Sequence, residues 1–186
     1  MNILYMHTHD SGRILSPYGY AVPTPALQAF AKESLLFRNA YCVSPTCSPS
    51  RAAMLSGRYP HNVGMLGLAQ RGFVMDTASH LVPFLNKHGY TSVLCGIQHE
   101  AGWYLDHASG AKKIGYHYDL SADNSDYRQE DLGQWDKKNA ARIADWLRNY
   151  QQDQPFFASF GMYSTHRRYP DQIDESIDAN YVMPPY

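Results

Sequence analysis

The run Thr46-Cys47-Ser48-Pro49-Ser50-Arg51-Ala52-Ala53-Met54-Leu55-Ser56-Gly57-Arg58 sets a thiol at the start of a helix. Pro49 suits the first helical turn, where its missing N–H costs nothing, and Ala52, Ala53, Met54 and Leu55 are good helix formers running to a stop at Gly57. Cys47 then meets free backbone N–H groups and the positive end of the helix dipole, with Arg51 one turn further along. Such a place stabilises a negatively charged nucleophile or a bound anion. A small buried cysteine beside an ordinary helix cap satisfies the same pattern. Arg58, just past the helix end, suits a structural role as well as a site role.

Three further stretches deliver polar residues to the ends of buried strands. Ile3 to His7 reads as a short strand, and Thr8-His9-Asp10-Ser11-Gly12 is the turn that leaves it. Open α/β sheets gather ligands outside the carboxyl ends of their strands, so Asp10 fits a hard metal ligand as well as a turn aspartate. Thr91 to Cys95 is the next strand, with Gly96-Ile97-Gln98-His99-Glu100 leaving its end. Pro155 to Tyr163 is the third, and it leads into Ser164-Thr165-His166-Arg167-Arg168. The three loops are expected to bring Asp10, His99 and His166 together around Cys47. Arg167 and Arg168 suit the grip of a sulfated or carboxylated substrate, or they are solvated surface cations. His61 and His117 have no such placement.

The elements that must hold these loops follow from periodicity. Thr24 is expected to cap a helix begun by Pro25, with Leu27, Phe30, Ala31 and Leu35 on one face, and residues 35–42 hold a short strand. Residues 78–87 read as a helix with Leu81, Phe84 and Leu85 inward, closed by Gly89. Residues 101–131 show little periodicity and read as loop. Residues 136–150 form a helix with Ala140, Ile143, Ala144 and Leu147 inward. Strands alternating with helices imply an α/β fold with a largely parallel sheet.

Composition narrows the class. The 186 residues suffice for one domain with a proper core, 44% of them are hydrophobic, and the formal net charge is -1. That balance gives no bulk attraction to nucleic acid or to an anionic membrane, so anion binding must be local. Cys42, Cys47 and Cys95 have neither disulfide-framework nor zinc-like spacing. No run approaches a membrane span, and no signal-peptide pattern precedes the first strand, which implies a cytoplasmic chain unless an export signal was removed.

Cys47-Ser48-Pro49-Ser50-Arg51 followed by Leu55-Ser56-Gly57-Arg58 resembles the signature of the type I sulfatases, and residues 34–40 and 62–68 are most similar to the sulfamidase branch. The resemblance implies an alkaline-phosphatase-like α/β sandwich with helices on both faces, of which residues 1–186 are the N-terminal portion of the catalytic domain. It implies that Cys47 is oxidised to formylglycine by a maturation enzyme and that a divalent cation, Ca2+, takes part. Asp10 falls on the second of a pair of acidic metal ligands, His9 on the first, and Cys47 as formylglycine also faces the metal. His99 matches the histidine of the Gly-Lys-x-His signature, with Ile97 in place of the lysine. His166 matches the histidine that follows a Pro-Phe-Phe strand and contacts the sulfate or leaving group. Arg168 stands where a proline is common.

The implied activity is hydrolysis of a sulfate ester or sulfamate on a sulfated carbohydrate or aryl sulfate. Arg51 would hold the nucleophile, His99 would take its proton, and His166 would serve the leaving group. Two alternatives remain: a phosphonate or phosphate ester hydrolase of the same superfamily, and a vestigial glycan-binding domain, favoured by His9 and Ile97. The family's remaining metal ligands lie later in the chain, so the 186 residues alone are expected to be inactive.

Overall fold

The computed structural model describes residues 1–102, 107–125, 127–128 and 131–167, which fall into two compact units. The first comprises Met1–His9 and Cys42–Thr165, the second Asp10–Tyr41 with His166 and Arg167. The strands are β1 (Ile3–His7), β2 (Thr91–Gly96), β3 (Tyr118–Asp119) and β4 (Phe156–Gly161). The helices are α1 (Pro25–Lys32), α2 (Cys47–Ser56), α3 (Leu81–Lys87), α4 (His107–Ile114) and α5 (Leu132–Asn149).

All four strands belong to the first unit and pair in parallel in the order β1-β4-β2-β3. Ile3 pairs with Phe157 and Thr91 with Phe156, so β4 lies between the first two strands of the chain. A parallel strand between two neighbours is covered on both faces, which is why every residue of β4 is buried and its sequence reads as an apolar run interrupted only by Ser159. Its side chains divide by parity. Phe157 packs with Leu55 of α2, Val82 and Leu85 of α3, and Ile114 of α4. Phe156, Ala158 and Phe160 pack on the other face with Val93, Cys95 and Ile143 of α5. Helices thus cover both faces of the sheet, as the sequence implies. On β1, Leu4 and Met6 are exposed while Ile3 and Tyr5 turn toward the α2–α3 side.

Glycine is required where β2 and β4 end together. A Cβ on Gly96 would collide with the Gly161 carbonyl, and one on Gly161 would collide with the Ile97 carbonyl and the His7 ring. Gly96 also has φ +81°, which L side chains rarely adopt. The two glycines let β2 and β4 end against His7 of β1, where the loop that carries His99 leaves the sheet.

Several expectations are corrected. Residues 101–131 contain α4 and β3. Gly110 hides the helix because glycine has low helix propensity, yet a Cβ there would strike the Gln98 side chain and the Ala101 carbonyl. The helix expected from residue 78 begins at Leu81, after a 3-10 turn at Thr77–Ser79, and this places Pro83 in the first turn, where it is tolerated. Phe84 consequently points to solvent and Val82 inward. α5 begins at Leu132, four residues before the expected start.

In the second unit α1 buries no residue, and Thr24 bonds Ser16 rather than the helix end: its hydroxyl lies 2.7 Å from Ser16 Oγ. Residues 35–42 hold no strand, and Leu35 and Phe37 are exposed. No helix among the described residues is long and apolar enough to cross a membrane.

Candidate active site

Cys47 is the first residue of α2, preceded by Thr46 in extended conformation, so the thiol stands at the end where helical N–H groups lack intrahelical acceptors. Arg51 follows one turn later on the same side of the helix. Its guanidinium is buried and donates to His7 Nδ1 at 2.6 Å and, more weakly, to the Thr8 carbonyl at 3.5 Å. Because arginine only donates, His7 Nδ1 must accept, which fixes a neutral imidazole. Burial, and then the positive charge of Arg51, hold the His7 pKa down to about 3. The helix is therefore tied to the end of β1 through a buried cation.

His9 and His99 complete the cluster. His9 Nε2 lies 3.0 Å from His99 Nδ1, and one nitrogen of each ring together with Cys47 Sγ form a group whose members are no more than 4.8 Å apart. Both rings are buried and meet the edge of Tyr163, with centroids 5.7 and 5.8 Å away. Thr165 holds His9 from behind. Its hydroxyl accepts from the His9 N–H at 3.0 Å and donates to the His9 carbonyl.

The loop that carries His99 is fixed by its own side chains. Gln98 Oε1 accepts from the N–H groups of Glu100 and Ala101 at 2.8 and 2.9 Å, and Glu100 Oε2 accepts from the His99 N–H at 3.0 Å. Glu100 is buried, which raises its carboxyl pKa against the lowering influence of Arg51. Tyr116, half-buried against the core of α2 and α3, has its phenol pKa raised by burial and by the Glu100 charge, while Ser159 of β4 bonds to it and opposes the shift. Ile97 does not face this group. Its side chain packs among Ala122, Leu132, Trp135 and Tyr163.

Sequence reasoning missed His7, Glu100, Tyr163, Thr165 and Asp136. The Asp136 carboxylate on α5 accepts from the N–H groups of Tyr163, at 2.9 and 3.0 Å, and of Ser164, at 2.8 Å, and so fixes the exit of β4. A buried acid within an amphipathic helix is the signal that could have marked it.

Asp10, His166 and Arg167 belong to the second unit. There Asp10 adopts φ +30° and its Oδ2 accepts from the Arg167 N–H at 3.3 Å, while His166 Nδ1 meets the Arg167 carbonyl oxygen. The Arg167 residue is exposed. Arg168 lies outside the described residues. The same unit contains an open pocket of about 340 Å3 lined by Arg13, Tyr18, Gly19, Tyr20, Arg38 and Asn39, which combines two cations with two aromatic rings.

A family model described as sulfatase matches residues 3–181. The chain belongs to the sulfatase family. An ulvan-active sulfatase of Formosa agariphila is 32% identical over 170 residues, covering 89% of this chain and 25% of that protein. Human N-sulphoglucosamine sulphohydrolase is 31% identical over 173 residues, covering 89% of this chain and 32% of that protein. This sulfatase chain thus spans about a quarter to a third of the length of these relatives. Among solved structures, one in complex with its substrate D-glucosamine-2-N,6-O-disulfate aligns with a TM-score of 0.64 at 20% identity, over 90% of this chain and 35% of that one. The fold is the alkaline-phosphatase-like one that the parallel sheet and its helices describe. Membership of the sulfatase family implies a metal ion and a formylglycine.

Proposed function

We propose that this chain is the N-terminal portion of a sulfatase catalytic domain that hydrolyses sulfate esters or sulfamates on sulfated sugars, with Cys47 as the precursor of formylglycine. The observation that carries the reading is the grouping of Cys47, at the start of α2, with His9 and His99, backed by the buried cation of Arg51. The relatives point to the substrate class, since one acts on ulvan and another is a sulphohydrolase of N-sulphoglucosamine.

Once formed by a maturation enzyme, the formylglycine hydrate supplies one hydroxyl to attack sulfur and a second through which sulfate is released. The residues of this chain do the rest. Arg51 places a positive charge beside the start of α2, where negative charge accumulates as sulfur is attacked. His99 accepts the proton given up at residue 47, and His9, 3.0 Å away, shares it. His166 and Arg167, with Arg168, serve the sulfate and the leaving group. The pocket lined by Arg13, Arg38 and the two tyrosines suits a further anionic sugar, gripped by charge and by the faces of its rings. Ca2+ at Asp10 belongs to the same reading: a carboxylate oxygen is the donor it takes, whereas His9 offers it little.

The test is peptide mass spectrometry of the Cys47 peptide after co-expression with a formylglycine-generating enzyme, followed by assay of the mature full-length protein on aryl sulfate and aryl phosphate esters. Thiol-to-aldehyde conversion with preference for the sulfate supports the reading. An unmodified thiol, or preference for the phosphate, overturns it.

A further inference from the structure

The donors around Cys47 disagree with the cation that the sequence implies. Ca2+ takes roughly six to eight oxygen ligands. The first unit instead offers one nitrogen each from His9 and His99 and the sulfur of Cys47, all within 4.8 Å of one another. Two imidazoles and a thiol are the donors of a borderline-soft ion. We propose that the chain as encoded, with Cys47 a thiol, binds one Zn2+ through His9, Cys47 and His99, and that conversion of Cys47 to formylglycine abolishes the site by removing the sulfur.

The geometry is close to what zinc needs. Two nitrogens on a tetrahedral zinc stand about 3.3 Å apart, against the 3.0 Å between His9 Nε2 and His99 Nδ1. Adjustments of a few tenths of an ångström put both on a common ion; the thiol proton leaves to solvent, and the proton between the rings moves to the outer nitrogen of the ring that carried it, so that both imidazoles bind neutral. Three protein ligands leave a fourth position for water. The backbone that carries the two histidines is held in place: Thr165 bonds the His9 N–H and carbonyl, Glu100 accepts from the His99 backbone N–H, and Tyr163 packs against both rings. The Cys47 thiolate offsets part of the metal charge, and the nearby cation Arg51 is held on His7. The proposal stands on this donor set and does not require the hydrolase reading.

The test uses the full chain expressed without a maturation enzyme. Zinc is added, excess is removed by gel filtration, and bound metal is measured, with Co2+ as a spectroscopic substitute. The expected result is one zinc per chain and a thiolate-to-cobalt charge-transfer band. Zinc should also protect Cys47 from alkylation while the exposed Cys42 reacts as before. Cys47→Ser, checked for folding by circular dichroism, should lose the band and weaken zinc binding by about tenfold or more. Chain carrying formylglycine should behave in the same way. Alkylation of Cys47 at equal rates with and without zinc in the unaltered chain overturns the proposal, and that measurement needs no variant. Sulfate release is read only on the aldehyde form, so failure of the hydrolase reading and failure of zinc binding are seen separately.

Discussion

His9 Nε2 and His99 Nδ1 stand 3.0 Å apart, although 90 residues separate them in the chain. One ring must donate and the other accept, so the pair shares one proton beside Cys47. In the mature full-length protein, His99→Ala should lower kcat for sulfate release by roughly 10²- to 10⁴-fold, the range of a lost general acid or base. KM should change far less. A fall in KM-dependent binding alone, with kcat preserved, would show that His99 only lines the site.

Arg13 and Arg38 share a pocket with Tyr18 and Tyr20 in the second unit. If that pocket holds an anionic sugar, Arg38→Ala should raise KM for a sulfated oligosaccharide on the order of tenfold, the loss of one charge-assisted hydrogen bond. Turnover of a small aryl sulfate, which carries no further sugar, should stay unchanged. Steady-state kinetics on the two substrates checks this.

His80 is fully buried at the start of α3, where its Nδ1 accepts from the Val82 N–H at 3.1 Å, and burial lowers its pKa to about 4. The folded state therefore resists a proton that the unfolded chain takes up near pH 6.5. Stability should be fully present above that pH and fall as pH drops toward 4, by at most about 3 kcal/mol. His80→Asn keeps an N-cap acceptor without a titrating ring and should remove this part of the slope. Urea midpoints at neutral pH and near pH 4.5, for both proteins, decide it.

Asp136 accepts three hydrogen bonds from the exit of β4. Asp136→Ala leaves the N–H groups of Tyr163 and Ser164 without their acceptor and should cost about 2–3 kcal/mol, with Asp136→Asn costing less because one carbonyl oxygen remains. Denaturant unfolding measures the cost. Since Tyr163 packs against His9 and His99, the asparagine variant should also slow sulfate release while remaining folded.

Much of this arrangement is local and therefore readable. Cys47 and Arg51 lie one turn apart on a helix whose start and stop are written in Pro49 and Gly57, and β4 announces itself as an apolar run. What is not readable depends on strand order. Because β1 and β2 run parallel with only β4 between them, the loops bearing His9 and His99 leave the same end of one sheet and meet. Ile97 looks like a substituted site residue by position, but its side chain turns into the Trp135 cluster. Asp136 hides inside a helix, because helical periodicity records which face is buried and not what a buried carboxylate holds.

The strand order also sets a timetable. β1 has β4 as its neighbour, and residues 156–161 leave the ribosome more than a hundred residues after Cys47. At synthesis rates of roughly 5–20 residues per second, that interval is about 5–20 s. Throughout it, Thr165 has yet to emerge and clasp the His9 backbone, so the nascent thiol is open to enzymes that act on unfolded chains before the sheet shuts around it.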